Sequence, residues 1–342
     1  MKGVIILGTK KVEVRELPKP DPGYGQVLVR AIEVGICGSD LHMYRREDLK
    51  NPLHVQGHEL TGIIESVGEG VEHLRVGDRV MAYQAWGCGY CSRCATGRSN
   101  LCANRKIVGK ADRYQKEYSV MPEAVALPLP DELTFDDGVM LSCAGGTAWA
   151  GLRKVQPSCD DAVVVFGLGP VGLMAVFWAK AMGAYVIGVE VVPRRLDLGQ
   201  KAGADVVVDA RAEDPVARVK SITRGEGARV GVEASGSKAA QQQVLDATHP
   251  EARLVYIASA PEGKVIDPRP GRGGGLGMRA VHGSYTYSMG DYYDMLRALL
   301  LHGLHPGVLV THRFSIEEAD EAFQVADSCD SGKVILEWPQ EG

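Results

Sequence analysis

The chain lacks any uninterrupted hydrophobic run that would cross a membrane. Its longest uncharged apolar stretch, residues 162–179, is 18 residues long, but three glycines and a proline interrupt it, which indicates a strand, a turn and a helix. We also expect no secretion signal, because Met1-Lys2 leads only into the short apolar run 3–7. The sequence has eight cysteines and nothing that marks secretion, so we expect a protein of the reducing cytoplasm.

Basic residues are not in excess. The 342 residues include 38 Lys and Arg against 43 Asp and Glu, a formal net charge of −5, and the isoelectric point is near 6.0. The sequence therefore offers no basic face for nucleic acid, and it predicts neither a nucleic-acid nor a membrane partner. We find no internal repeat, and the length suits two domains in one well-cored chain.

Four cysteines, in contrast, are closely spaced. Cys88, Cys91, Cys94 and Cys102 form C-x2-C-x2-C-x7-C, and neighbours two residues apart rarely form disulfides with each other. Zn²⁺ accepts a closed shell of four thiolates, so the spacing predicts a structural zinc that ties down a loop and does no chemistry. An iron-sulfur cluster is the rival, but the bacterial ferredoxin run closes with C-x3-C-P.

The sequence pattern changes along the chain. In the first part, short alternating runs bounded by Gly and Pro are typical of β-strands: 11–15, 26–30, 62–66 and 78–81. From Asp161, apolar strands alternate with amphipathic helices, which predicts a parallel sheet with strands at 163–166, 186–190, 206–208, 230–233 and 254–257. Past residue 287, helical segments at 291–301 and 316–326 and a strand at 334–337 indicate a return to the first domain.

A glycine-rich turn lies inside the alternating part. The predicted strand 163–166 leads into Gly167-Leu-Gly169-Pro170-Val171-Gly172 and then into a helical pattern. At such a junction, the backbone can approach a dinucleotide pyrophosphate at the helix N-terminus. Glu190, at the end of the next predicted strand, is placed to accept both adenosine ribose hydroxyls, which favours NAD over NADP. Arg194 and Arg195 leave the choice open, since they could contact the adenine, pair with a phosphate, or be solvated charges.

A second candidate metal set is scattered through the sequence. Cys37 lies on a loop after a strand, His58 comes just before the next strand, and Cys143 lies near the domain junction. Two thiolates and one imidazole form an open three-ligand zinc site whose fourth position takes water or substrate. Each residue alone has a plainer interpretation, since a single Cys is more often a small buried hydrophobe and a single His more often a core histidine.

Together these stretches resemble the zinc-dependent medium-chain alcohol and polyol dehydrogenase family over essentially the whole chain. The resemblance is carried by Cys37-Gly-Ser-Asp40, Gly57-His-Glu59 with Gly62, Val67-Gly68, Gly77-Asp-Arg-Val80, the four-cysteine lobe, Ser142-Cys-Ala-Gly-Gly-Thr147 and the Gly167–Gly172 turn. It implies an α/β protein with a GroES-like β-rich catalytic domain and a Rossmann doubly wound parallel-sheet cofactor domain. The implied domains are 1–147, with a structural-zinc lobe at 84–105, then 148–286 for NAD, and 287–342 returning to the catalytic domain.

The resemblance also implies roles for individual residues. Cys37, His58 and Cys143 would be the ligands of a catalytic zinc, so each chain would bind two zinc ions together with NAD. Glu59 would be an adjacent carboxylate that replaces water transiently or ligates the metal, and Asp40 would orient His58. The protein would be a homo-oligomer, a dimer or a tetramer.

Ser39 and His42 match the family's proton relay. In the implied mechanism, zinc lowers the pKa of the substrate hydroxyl, Ser39 passes the proton toward His42 and solvent, and the alcohol gives up a hydride to the nicotinamide. An exposed loop histidine without a catalytic role is the alternative for His42.

Gln84 and Trp86 are the candidate substrate residues. The resemblance puts Gln84 beside the substrate, where enzymes for simple alcohols often carry an apolar wall. Because a buried amide needs a hydrogen-bond partner, we expect a secondary hydroxyl of a polyol, sugar or aminocyclitol, oxidised to a ketone. Tyr44, Tyr285 and Tyr287 are further candidates for the pocket rim, with packing or a subunit interface as the alternative.

Other functions stay open. A threonine 3-dehydrogenase-like activity and a simple alcohol dehydrogenase are the enzymatic competitors. A noncatalytic dinucleotide-binding sensor or structural protein on the same fold belongs to another class, and it is disfavoured because no catalytic ligand is missing. Residues 108–118 depart from the family pattern, because they lack the glycine-rich segment that commonly precedes the Glu-Tyr pair, here Glu117-Tyr118.

Overall fold

The computed structural model describes residues 1–47, 49, 55–107, 113–258 and 276–338. The chain divides into two units, one made of Met1–Cys143 with Ser288–Gly342 and the other of Ala144–Tyr287. Sequence analysis put these divisions after residues 147 and 286. Within the described ranges, no helix has both the length and the apolar composition that a membrane span needs.

Strands dominate the first unit, and they alternate with helices in the second. The strands are β1 (Lys2–Gly8), β2 (Lys11–Glu16), β3 (Gln26–Gly35), β4 (Glu59–Val67), β5 (Arg79–Ala82), β6 (Ala85–Trp86), β7 (Lys106–Ile107), β8 (Tyr118–Pro122), β9 (Ala126–Pro128), β10 (Ala162–Phe166), β11 (Tyr185–Glu190), β12 (Val206–Asp209), β13 (Ala228–Glu233), β14 (Thr248–Tyr256), β15 (Ala280–Gly283), β16 (Val310–Ser315) and β17 (Lys333–Glu337). The helices are α1 (Gly38–Tyr44), α2 (Ser92–Ala95), α3 (Phe135–Met140), α4 (Gly146–Val155), α5 (Pro170–Ala181), α6 (Pro193–Lys201), α7 (Pro215–Ile222), α8 (Lys238–Asp246), α9 (Met289–His302) and α10 (Ala319–Asp327).

The first unit contains a seven-stranded sheet in the order β16-β17-β3-β4-β5-β9, with β8 also paired to β3. The central strand β3 pairs antiparallel with β4, β8 and β17. Its apolar side chains Val27, Val29 and Val34 are fully buried, so the sheet forms the centre of this unit's core. The predicted β-rich, GroES-like domain is confirmed.

The second unit contains a parallel sheet in the order β12-β11-β10-β13-β14-β15. Strand pairs on both sides of β10 are parallel, and the chain reverses its direction of winding between β10 and β13. In such Rossmann sheets, ligands bind beyond the carboxyl ends of the strands at this reversal. Val163, Val164 and Val165 are buried on both faces, as a sheet covered by helices requires. The predicted Rossmann domain is confirmed.

The apolar run near the N-terminus has a structural role that sequence analysis missed. It forms β1, which pairs antiparallel with β2 from Lys2 opposite Glu16 onward. Val4, Ile5 and Ile6 of this strand are buried in the first unit. The predicted helix 316–326 also differs, because its first turn is a 3-10 turn, Ile316–Glu318, and the α-helix begins only at Ala319.

Candidate active site and metal centres

The four closely spaced cysteines converge at one point in the first unit. Cys91 Sγ lies 3.5 Å from Cys94 Sγ and 3.8 Å from Cys102 Sγ, and Cys88 Sγ lies 4.0 Å from Cys94 Sγ. Zn–S bonds of about 2.3 Å in a tetrahedral shell separate the sulfurs by about 3.8 Å, so these spacings fit a four-thiolate zinc. None of the four forms a disulfide. Gly87 makes room for them, since a Cβ there would lie 2.3 Å from Cys94 Sγ.

A second cluster brings together Cys37, His58, Glu59 and Cys143, all within the first unit. One ligand atom from each lies within 4.8 Å of the others, and the two sulfurs are 3.9 Å apart. Cys37 immediately precedes α1, and His58 immediately precedes β4, whose first residue is Glu59. Cys143 lies in a π-helical turn, Leu141–Gly145. Such turns are rare and occur often at functional sites.

Asp40 lies behind His58 and links it to the Cys37 loop. Its Oδ1 is 3.9 Å from His58 Nδ1, and its Oδ2 accepts a hydrogen bond from the Cys37 amide at 2.9 Å. The side chain is 1% exposed, and Oδ1 has no hydrogen-bond partner among the described residues. Burial raises the pKa of Asp40. The carboxylate is therefore placed to orient the imidazole, as a ligand histidine requires.

Sequence analysis missed Lys333, which forms a buried ion pair with Glu59. Its Nζ donates to Glu59 Oε2 at 2.6 Å and to the Ile36 carbonyl at 3.4 Å. The two side chains are 1% and 0% exposed, respectively. The only signal in the sequence is a lysine directly before the apolar run 334–336 of strand β17. Lys333 therefore supplies a positive charge directly behind the cluster.

The groups of the cluster shift one another's pKa values. The contact with Cys143 holds the pKa of Cys37 well below its usual value, and the same contact raises the pKa of Cys143. Burial raises the pKa of Glu59 to about 7 even though Lys333 opposes the shift. Burial alone would lower the pKa of His58, but Cys37 raises it to about 9. Sulfur, imidazole and carboxylate donors are those that zinc accepts, so the residues fit this metal.

Ser39 and His42 lie on α1, which begins directly after Cys37. Both side chains are exposed. Residues three apart on a helix share a face, so the hydroxyl and the imidazole lie on the same side of α1. The structure thus places both relay candidates within two helical turns of a candidate metal ligand.

The glycine-rich turn of the second unit joins β10 to α5. Gly167 has φ +89°, and a Cβ on Gly172 would lie 1.8 Å from the Gly167 carbonyl oxygen, so helix and strand approach too closely for a side chain. A Cβ on Gly169 would meet only the Arg195 guanidinium, at 3.8 Å, which leaves open space over the turn. Pro170 and Val171 form the first helical positions of α5. This cradle fits a dinucleotide phosphate.

Glu190 ends β11 and fastens the glycine-rich turn. Its Oε2 accepts a hydrogen bond from the Leu168 amide at 2.7 Å, and its Oε1 accepts from the Val191 and Val192 amides at 2.6 and 3.2 Å. Sequence analysis did not foresee these contacts. Each carboxylate oxygen can accept more than one hydrogen bond, so the predicted contact with ribose hydroxyls is compatible with them.

The candidate substrate residues differ in how far their side chains are exposed. Trp86 lies in the short strand β6 and Gln84 just before it, and both are half-buried. The interpretation of Tyr44 and Tyr287 as pocket rim is wrong, because both are fully buried, and Tyr44 packs on Phe323 with ring centroids 5.3 Å apart. Tyr285 is exposed. The segment 108–118 departs from the family pattern, and its first part, 108–112, lies outside the described residues.

The GroES-like unit with its cysteine, histidine and carboxylate cluster and the Rossmann unit with its phosphate cradle define a zinc-dependent dehydrogenase of the medium-chain class. Comparison with known families agrees. Residues 23–131 match the alcohol dehydrogenase GroES-like domain, and residues 170–300 match the zinc-binding dehydrogenase domain. The chain belongs to the zinc-dependent medium-chain alcohol dehydrogenase family, and it is an oxidoreductase acting on alcohols.

Individual relatives cover nearly the full length. The chain is 34% identical over 356 residues to the uncharacterized zinc-type alcohol dehydrogenase-like protein YphC of Escherichia coli K12, covering 99% of each chain. It is 31% identical over 334 residues to L-threonine 3-dehydrogenase of Chromobacterium violaceum, covering 96% of each. A solved structure of the alcohol dehydrogenase rspB from E. coli CFT073, complexed with NADH, matches with TM-score 0.85 and 29% identity over 98% of this chain and 99% of that one.

Proposed function

We propose that the protein oxidises a secondary alcohol bearing further hydroxyl or amino groups to a ketone, with NAD as hydride acceptor and two zinc ions per chain. The observation that carries the proposal is the open set of Cys37, His58 and Cys143, which lies next to a helix that presents Ser39 and His42. A ligand set with three protein donors leaves a position for substrate, as catalytic zinc sites require.

Cys37, His58 and Cys143 would hold the catalytic zinc, and the four-cysteine lobe would hold the structural one. When bound, this zinc would act as a Lewis acid on the substrate hydroxyl, and NAD would accept the hydride. The burial of His58 and Asp40 keeps water from the back of the site. The buried Asp40 carboxylate, 3.9 Å from His58 Nδ1, would orient the imidazole.

Ser39 and His42 would carry the proton away. The Ser39 hydroxyl accepts the proton from the substrate hydroxyl, and His42 receives it and exchanges it with solvent, which its exposure permits. Ser39 and His42 share one face of α1, and Ser39 is nearer than His42 to Cys37 in the sequence. Both facts support transfer from Ser39 to His42. In the reverse direction the same two residues would deliver a proton to a ketone.

NAD is favoured over NADP by Glu190. Its carboxylate is anchored to the glycine-rich turn, so it cannot readily withdraw from a 2′-phosphate, which it would repel. Arg195, whose guanidinium borders Gly169, would lie along the cofactor rather than against a 2′-phosphate. The relative with bound NADH gives independent support.

A polar substrate is favoured by Gln84, a half-buried amide next to the four-cysteine lobe. An amide at the pocket wall offers both a donor and an acceptor to further hydroxyl or amino groups of the substrate. Threonine is the second candidate substrate, because it has a secondary hydroxyl beside an amino group and because one relative of this chain is an L-threonine 3-dehydrogenase.

A spectrophotometric screen of NAD reduction tests the proposal. The substrates are polyols, sugars, aminocyclitols, threonine and simple alcohols, each measured with NAD and with NADP. We expect kcat/KM for a cyclitol or another polar secondary alcohol to exceed that for cyclohexanol by at least about tenfold, which corresponds to about 1.4 kcal/mol and lies within the cost of leaving one buried donor or acceptor unpaired. Equal values for a cyclitol and cyclohexanol would refute the polar pocket. Absence of NAD reduction with every alcohol would refute the activity.

A further inference from the structure

We infer that Lys333 is a positioning residue that holds Glu59 away from the metal and so keeps the fourth coordination position of the Cys37, His58 and Cys143 set open. The inference rests on the catalytic zinc site of the proposed function. It concerns the number of protein ligands at that site. Glu59 lies close enough to Cys37, His58 and Cys143 to be a fourth ligand, so these residues alone do not determine that number.

The structure holds one oxygen of Glu59 in a defined place. Its Oε2 receives the Lys333 ammonium at 2.6 Å and lies against Gly35, where a Cβ would come within 2.1 Å of that oxygen. Gly35 is therefore required for the carboxylate to lie back against β3. The other oxygen, Oε1, is buried and has no hydrogen-bond partner among the described residues. Glu59 thus has one held oxygen and one that is available to the cluster.

Lys333 is itself fixed. It begins β17, which pairs with β3 at Ile335 opposite Gly35, and its ammonium also donates to the Ile36 carbonyl at 3.4 Å. Both the lysine and Glu59 are buried, so neither charge can be satisfied by water. The lysine therefore has little freedom to follow Glu59 toward the metal.

The charge balance of the metal site differs with and without Lys333. Two thiolates already balance a divalent zinc, so a third anion as a direct ligand would leave the site with a net negative charge. With Lys333 present, Glu59 is neutralised where it lies. Without Lys333, the nearest cation to a buried, unpaired carboxylate is the metal. Glu59 should then move onto the zinc, complete a four-ligand shell and close the position that substrate would use.

The test uses the full-length protein with Co²⁺ in place of zinc and imidazole as the probe of the open position. Imidazole binding is followed through the visible absorption of Co²⁺. The four-cysteine site has a closed shell and should not respond, and Cys37→Ser serves to identify the signal of the open site. The variants are Lys333→Met, Lys333→Arg and Lys333→Met combined with Glu59→Gln.

We expect Lys333→Met to bind imidazole about 10 to 100 times more weakly than the unmodified protein, because the released carboxylate competes for the same coordination position; changes just outside the ligand shell of a metal site typically have effects of this size. Lys333→Arg retains the charge and should stay near the unmodified value. The double variant removes the competing carboxylate and should recover imidazole binding. Unchanged affinity in Lys333→Met, or equal loss in the double variant, would overturn the inference.

Two further measurements keep the outcome decisive. If Lys333→Met does not fold, Lys333→Gln replaces it, since it keeps a donor for Oε2 without the charge. Its affinity should also fall, and an unchanged value would overturn the inference. An unmodified protein that shows no imidazole response would refute the open zinc site of the proposed function itself. A normal response there, with no effect of the lysine variants, would refute only the role of Lys333.

Discussion

Glu33 provides a test of the electrostatics of the first unit that does not depend on the metal. It lies on β3 at 8% exposure, and its Oε1 accepts from Arg313 Nη1 at 3.3 Å, while Oε2 has no hydrogen-bond partner among the described residues. Arg313 also binds Glu337, at 2.8 Å, and Asp136. Three carboxylates therefore face one guanidinium. Burial, together with the charge of Asp136, raises the pKa of Glu33 to about 8.

The perturbation is Glu33→Gln, which imitates the protonated acid. In the folded protein Glu33 keeps a proton that the unfolded chain, with an ordinary pKa of 4.5, has released. Unfolding therefore loses a proton between these two values, and stability falls as pH rises through this window and levels off above the folded pKa. Each pH unit is worth about 1.4 kcal/mol, so about 2 to 3 kcal/mol should be lost between pH 5.5 and 7.5.

The assay is denaturant unfolding of the zinc-loaded protein and of Glu33→Gln at pH 5.5, 6.5 and 7.5. Contributions from the metal and from other groups are common to both proteins, so the difference in free energy of unfolding isolates Glu33. We expect Glu33→Gln to gain stability relative to the unmodified protein as pH rises. Glu337→Gln, an exposed partner of the same arginine, is the matched control and should change the pH slope much less, because its charge raises the pKa of Glu33 less than burial and Asp136 do. A pH-independent difference between Glu33→Gln and the unmodified protein would show that Glu33 is ionised in the folded state.

Four other predictions concern the metals, the cofactor and the substrate. Metal analysis should find two zinc ions per chain, and one ion, or iron with visible charge-transfer absorption, would contradict this. Cys37→Ser should lose turnover with its fold intact, whereas Cys91→Ser should mainly lower the melting temperature; equal loss of activity per folded molecule would count against this division. Glu190→Ser should relax the preference for NAD in steady-state kinetics, and an unmodified enzyme that prefers NADP would show that Arg195 dominates. Gln84→Phe should shift kcat/KM toward apolar alcohols by about tenfold or more, and an unchanged ratio would place Gln84 outside the pocket.

The sequence by itself determined the features that depend on neighbours along the chain. The four-cysteine lobe and the strand-turn-helix around Gly167 could be predicted because each is complete within a short segment, so spacing alone describes its geometry. Apolar patterns likewise located β2, β3 and five strands of the parallel sheet, β10 to β14, whereas β15 was not predicted. The strand β1 was missed, because a five-residue apolar run has no periodicity that distinguishes its partners.

Features that join distant segments were decided only by the tertiary structure. The motifs named Cys37, His58 and Cys143 as candidates, but only the fold brings their ligand atoms within 4.8 Å of one another. The pairing of Lys333 with Glu59 spans 274 residues, and that of Arg313 with Glu33 spans 280. Periodicity reports whether a side chain faces a core, not which buried side chain it meets there. These two ion pairs therefore became visible only once β16, β17, β3 and β4 lay side by side.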